Sequence, residues 1–135
     1  MADPNFSAAE APAKILIAED SPTQAQLLRH LLEQQGYEVR VAANGRLALE
    51  MVPQFQPALV ISDVVMPEMD GYRLTHEVRS DPRMADLFIT LNTSLSGNFN
   101  EAMVKKVGCD RFISKFQPDL LVGVTQERMR QILGV

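Results

Sequence analysis

The sequence predicts an α/β fold: a doubly wound parallel sheet of five strands, in the order 2-1-3-4-5, with helices on both faces. Three observations carry this. Short apolar runs of strand length alternate five times with stretches of helical periodicity, the pattern of β-α units around a parallel sheet. Two of the runs, Lys14-Ile15-Leu16-Ile17-Ala18 and Ala58-Leu59-Val60-Ile61-Ser62, are nearly unbroken in apolarity, as strands buried on both faces must be. Right-handed crossovers between parallel strands then leave few topologies, and this order is the common one for five strands.

Residues 1–13, MADPNFSAAEAPA, show no periodicity and read as a tail or linker; residues 14–135 form the expected domain. Strand β1 is Lys14–Ala18. Ser21-Pro22 then offers a capping hydroxyl and a proline at the first helical position, opening α1. Leu27, Leu28, Leu31 and Leu32 give α1 one apolar face, and Gly36 is its expected stop. Tyr37–Ala42 alternates polar and apolar, as a half-exposed edge strand β2 should. Asn44-Gly45 turns the chain into α2, which carries Leu47, Ala48, Met51 and Val52 and is expected to end near Pro53.

Ala58–Ser62 is β3, with Asp63 directly after it. Helix α3 is expected from about Gly71 to Ser80, with Leu74 and Val78 inward. Leu87–Leu91 is β4, followed by Asn92-Thr93-Ser94. Helix α4 is expected from Gly97 to Val107, stopped by Gly108. Arg111–Ser114 is β5, with Lys115 at its end. Leu120, Leu121, Val124, Met129, Ile132 and Leu133 fit a last amphipathic helix, α5.

Composition excludes several classes of function. The chain has 135 residues, 46% hydrophobic and 22% charged, as one globular domain does. A net charge of −4 argues against direct nucleic-acid binding. No apolar run nears the roughly 20 residues that span a bilayer, and no signal segment opens the chain. The single Cys109 rules out an internal disulfide and fits a reducing compartment, so a cytoplasmic protein is expected.

The chemistry collects at the carboxyl edge of the sheet. Glu19-Asp20 ends β1 and Asp63 ends β3, and the switch point of this topology lies between those neighbouring strands. Like charges about 4 Å apart repel by roughly 1 kcal/mol in water and about 4 at an effective dielectric of 20. Such a cluster needs a counterion, and hard oxygen ligands in an open site suit Mg²⁺. Lys115 adds an ammonium and Thr93 a hydroxyl. Together these make a site for a phosphoryl group. Each residue alone has a plain explanation: an aspartate that caps a turn, an acidic pair at a helix start, a threonine in a strand, a solvated lysine. Their arrival from four strands at one edge is what those explanations do not cover.

These residues resemble the receiver domain of two-component response regulators, the CheY-like, flavodoxin-like fold, over residues 14–133. The matching motifs are Ile15-Leu16-Ile17-Ala18-Glu19-Asp20-Ser21, Asp63 with Met66-Pro67-Glu68-Met69-Asp70-Gly71, Thr93-Ser94, and Lys115. The resemblance implies that Asp63 accepts a phosphoryl group from a histidine kinase or phosphotransfer protein. It implies Mg²⁺ held by Asp20, Asp63 and the carbonyl of Val65, with Glu19 acting through water. Lys115 would pair with the phosphoryl oxygens, Thr93 would move to hydrogen-bond them, and Phe112 would rotate as the switch aromatic. The α4-β5-α5 surface would then meet a chemotaxis or other signalling partner. The second half, through Asn92-Thr93-Ser94-Leu95-Ser96-Gly97 and Lys115-Phe116-Gln117-Pro118-Asp119, is similar to receivers of CheV-type chemotaxis coupling proteins. The first half is more like receivers attached to hybrid kinases.

Three positions depart from the family pattern. Phe116 stands where proline usually follows the lysine, so a trans 115–116 peptide is expected, since a cis bond without proline costs about 2.5–4 kcal/mol. Phe112 lacks the hydroxyl of the commoner tyrosine. Val65 and Leu95 are apolar where the family tunes hydrolysis, so slow self-dephosphorylation is expected. His30 and His76 show no metal spacing and read as surface or helix-packing residues, Cys109 reads as a small buried or half-buried thiol, and Lys105-Lys106 reads as a solvated face with an alternative docking role. Two rival functions remain open at this point. A receiver-shaped interaction module that does not signal by phosphorylation would have no need of Glu19, Asp20, Asp63, Thr93 and Lys115. A flavodoxin-like cofactor binder or small Mg²⁺-dependent hydrolase would carry a glycine-rich phosphate loop where Glu19-Asp20-Ser21-Pro22 stands. Any output is expected to run through protein contacts, or through a domain elsewhere in a longer chain.

Overall fold

A computed structural model describes residues 13–93, 105–115 and 117–133. Five parallel strands pair in the order β2-β1-β3-β4-β5, as expected. β1 (Lys14–Ala18) and β3 (Leu59–Asp63) lie at the centre, and Ile15, Leu16, Ile17, Val60 and Ile61 are essentially sealed from solvent. Alternate residues of one strand point to opposite faces. Leu16, Val60, Ile89 and Leu91 therefore pack under Ala48, Val52, Phe55, Leu74 and Val78 of α2 and α3. Ile15, Ile17, Leu59, Ile61 and Ile113 pack on the other side against Leu32 of α1 and Leu121 and Met129 of α5. β2 (Glu38–Ala42) and β5 (Arg111–Ser114) are the edges and keep exposed residues.

α1 spans Pro22–Glu33; its cap Ser21 accepts from the Gln24 N–H at 3.3 Å. Gly36 falls in the turn beyond, at φ +91°, a conformation cheap for glycine. Tyr37 precedes β2 rather than opening it, and packs against the α1/α5-side core. α2 spans Gly45–Phe55, with Asn44 as its cap, so it runs through Pro53 instead of stopping there. The proline is exposed, and the buried Val52 and Phe55 anchor the turn on either side. Lys14 and Arg40 lie over the Phe55 ring, at 5.5 and 4.6 Å from its centre. The helix closes on Gln56, at φ 54°.

α3 spans Gly71–Ser80, capped by Asp70, whose Oδ1 accepts from the Arg73 N–H at 2.7 Å. β4 spans Phe88–Thr93, and β3 includes Asp63, so both run further along the edge than the apolar runs suggest. Of the expected α4, residues 105–107 are helical and Gly108 follows at φ +89°; residues 97–104 lie outside the described residues, as do Leu95 and Phe116 with its peptide. α5 spans Pro118–Leu133. Among the described residues no helix is long and apolar enough to cross a membrane.

Candidate functional site

Strand register builds the site. Ala18 pairs with Ser62, so the residues that follow them, Glu19 and Asp63, leave the sheet side by side. Asp63 pairs with Asn92, and Thr93 with Ser114, which brings the ends of β4 and β5 to the same edge. Two close approaches hold the loop beyond β3. The Gly71 N–H donates to the Val64 carbonyl at 2.8 Å, and the Gly45 N–H donates to the Met69 carbonyl at 3.1 Å. A Cβ on Gly71 would collide with the Asp63 carbonyl oxygen, so only glycine lets α3 begin here without moving β3.

Four of the sequence-predicted residues meet at this edge. The Lys115 ammonium donates to Glu19 Oε1 and to Asp63 Oδ2, each at 2.9 Å. All three side chains are more than nine-tenths buried. Each carboxylate has a second donor: the Val64 N–H meets Asp63 Oδ1 at 2.7 Å, and the Ser21 N–H meets Glu19 Oε2 at 3.1 Å. Burial raises the Glu19 pKa above its ordinary value, against the pull of Lys115. Burial alone would lower the Lys115 pKa, but the hydrogen bonds to Glu19 and Asp63 outweigh it and hold the ammonium above its usual range.

Asp20 is exposed at the mouth, and oxygens of Glu19, Asp20 and Asp63 lie within 4.8 Å of one another. Fully ionised, three carboxylates against one ammonium leave a formal charge of −2, which a single divalent cation would balance. Oxygens around Mg²⁺ at about 2.1 Å stand up to about 4.2 Å apart, so shifts of a few tenths of an ångström bring this donor set to that scale. The residues present fit such an ion.

The remaining predicted residues are placed less closely. Val65 is 62% exposed just past Asp63. Thr93 closes β4, with its side chain outside the described residues. Phe112 is half-buried on β5, its ring edge-on to Tyr72 at 6.2 Å between centres. His30, His76, Lys105 and Lys106 are exposed, and Cys109 is buried, which pushes its thiol up to about 11.

Two residues escaped sequence reasoning. Gln24 Oε1 accepts the third Lys115 proton at 2.7 Å. The Ser21-x-x-Gln24 spacing signals a capping box, in which Gln24 would reach back to the Ser21 N–H. Glu19 occupies that donor instead. Arg79 binds the carbonyls of Ala85, Leu87 and Gly108 and the Asp110 carboxylate, at 2.6–2.9 Å. It ties α3 to the turns that lead into β4 and β5, although an arginine in a last helical turn usually signals only a charge near the helix dipole.

A family model described as "Response regulator receiver domain" matches residues 15–125. The response regulator Rre1 of Synechocystis sp. is 33% identical over 117 residues, covering 85% of this chain and 51% of Rre1. The chemotaxis protein CheV1 of Helicobacter pylori is 32% identical over 111 residues, covering 77% of this chain and 34% of CheV1. The chain thus spans about half of one of these relatives and a third of the other. Among solved structures, the receiver domain of a signal transduction histidine kinase from Syntrophus aciditrophicus is 37% identical with a TM-score of 0.80, covering 89% of this chain and 92% of that one. A CheV protein and a receiver domain of a histidine kinase thus both stand among the similar proteins.

Proposed function

This chain belongs to the response regulator receiver domain family, and from that premise we propose that it is a phosphoacceptor of a two-component signalling system, with Asp63 as the acceptor. The carrying observation is the pair of buried carboxylates, Glu19 and Asp63, that share the buried Lys115 ammonium beside a third acid. An Asp63 oxygen attacks the phosphorus of a phosphohistidine on a partner kinase. The O–P bond forms as the P–N bond breaks, and the imidazole leaves with the electron pair and takes up a proton.

Asp63 is aligned for this by the Val64 N–H and by Lys115, so little orientational freedom is left to lose at the reacting carboxylate. The Lys115 ammonium offsets charge on the transferred group. Asp20, Asp63 and the Val65 carbonyl, with Glu19 through water, would hold Mg²⁺, which when bound neutralises further charge on the phosphoryl oxygens. Thr93, from the end of β4, would donate its hydroxyl to the product. Phe112, now edge-on to Tyr72, would repack as β4 draws in. The change would spread to the α4-β5-α5 face, where a signalling partner binds one of two packings in preference to the other.

The test is direct. Wild-type protein is incubated with acetyl phosphate and Mg²⁺, and the intact mass is measured. One phosphoryl increment on wild type and none on Asp63→Ala is expected. No adduct on wild type, or an equal one on Asp63→Ala, would falsify the proposal.

A further inference from the structure

An ammonium has three protons. On Lys115 all three are held: by Gln24 Oε1 at 2.7 Å, and by Glu19 Oε1 and Asp63 Oδ2 at 2.9 Å. A phosphoryl group on Asp63 can receive a Lys115 proton only if one of these acceptors gives it up. Glu19 stays a carboxylate, and its bond to the ammonium carries charge on both sides. Asp63 loses its charge on becoming an acyl phosphate, and Gln24 is a neutral amide. Gln24 is thereby one of the two weaker acceptors that can give up the ammonium to the phosphoryl group.

Gln24 is placed for this by the first turn of α1. It sits three residues past the cap Ser21, whose hydroxyl accepts from the Gln24 N–H. The Ser21 N–H, which a glutamine at this position would ordinarily bind, goes to Glu19 Oε2. The Gln24 amide is therefore free to turn toward the sheet edge. Gln24 and Lys115 both line a groove of about 480 Å³, together with Leu28 of α1, Leu121 of α5 and the polar Asn92 and Gln117.

We propose that Gln24 is a positioning residue: it holds the Lys115 ammonium toward α1 in the resting protein and is exchanged for the phosphoryl group, so that it competes with activation. This rests on the reading of Asp63 as the acceptor. The step is a hydrogen-bond exchange, with no covalent change at Gln24. Removing the amide acceptor leaves one ammonium proton to water, which the incoming group displaces more readily than a fixed amide.

The experiment uses beryllofluoride with Mg²⁺ as the phosphoryl mimic, titrated by ¹H–¹⁵N NMR against wild type, Gln24→Met and Gln24→Ala. Both variants are expected to bind the mimic more tightly by about twofold to tenfold, the range that one net hydrogen bond covers. The Lys115 ammonium supplies a signature that a merely structural role would not produce. Its protons exchange slowly with water in resting wild type, faster in both resting variants, and slowly in all three once the mimic is bound. Unchanged or weaker binding by both variants, or unchanged resting exchange, overturns the inference. A wild type that takes no beryllofluoride overturns the Asp63 reading itself, and the two failures are thereby distinguished.

Discussion

Lys115→Met removes one ammonium and keeps the bulk of its stem. At 2.9 Å each carboxylate attracts Lys115 by about 6 kcal/mol at an effective dielectric of 20, and by about 1.4 in bulk water. The cost of burying the ammonium offsets part of this. Removing one partner of a buried pair costs about 3–5 kcal/mol. At about 2.1 cal/mol/K per residue, that lowers the melting temperature of this chain by about 10–18 °C at neutral pH. The loss has a predictable pH dependence. Burial already raises Glu19 above its ordinary 4.5, and without Lys115 it rises further. An acid with a raised folded pKa contributes stability below its unfolded pKa and loses it as pH climbs through the folded one. The variant's deficit therefore shrinks on acidification, by up to about 1.4 kcal/mol per pH unit for each proton taken up. In wild type the sign concerns Lys115: its raised pKa means that the ammonium's contribution is present below 10.5 and fades only above that. Circular dichroism melts at pH 5 and 7.5, with and without Mg²⁺, read all of this. Mg²⁺ should restore much of the loss by replacing the ammonium's charge. An equal loss at both pH values and with the ion would refute the electrostatic account.

Gly71→Ala drives a Cβ into the Asp63 carbonyl and to 3.1 Å from Leu91 Cδ2, so a loss of about 1–3 kcal/mol in chemical denaturation is expected, with slower phosphorylation by acetyl phosphate. A normal rate in a folded variant would show that the α3 start does not position Asp63. Val65→Asn places an amide on an exposed position beside Asp63, where it can orient a water, and phosphoryl loss should quicken by about threefold to tenfold in a mass-resolved decay. Unchanged decay would remove the apolar side chain as a cause of slow hydrolysis. Arg79→Met takes a donor from three carbonyls and from Asp110, which keeps the Ile89 N–H, and a melt should show a loss of about 2–4 kcal/mol with the edge residues of the site still in place by NMR. Perturbed Asp63 and Lys115 resonances would instead tie Arg79 to the site.

The sequence by itself determined the fold and the identity of the acids at the edge. Unbroken apolarity in β1 and β3 demands burial on both faces, and alternation in β2 demands an edge; both are local patterns of period two. An acid directly after such a strand must emerge at its carboxyl end, so Glu19, Asp20 and Asp63 were legible before any coordinates. Pro53 departs from its local rule, that proline ends helices, because the buried Val52 and Phe55 on either side anchor the turn. Tyr37 looked like strand because its apolar ring belongs to the core even though its backbone lies before the sheet.

Which partners the buried charged side chains of the site take was decided by tertiary structure alone. Lys115 joins residues 96, 91 and 52 positions away, and the choice depends on which acceptors the packing brings within reach of one nitrogen. Sequence periodicity reports only which face a residue occupies. It carries no information about a hydrogen bond across three elements, because register, helix placement and the loss of a rival donor all enter at once. Gln24 illustrates this. Its local signal pointed to the Ser21 N–H, and it turned to Lys115 because Glu19, brought there by the end of β1, had already satisfied that group.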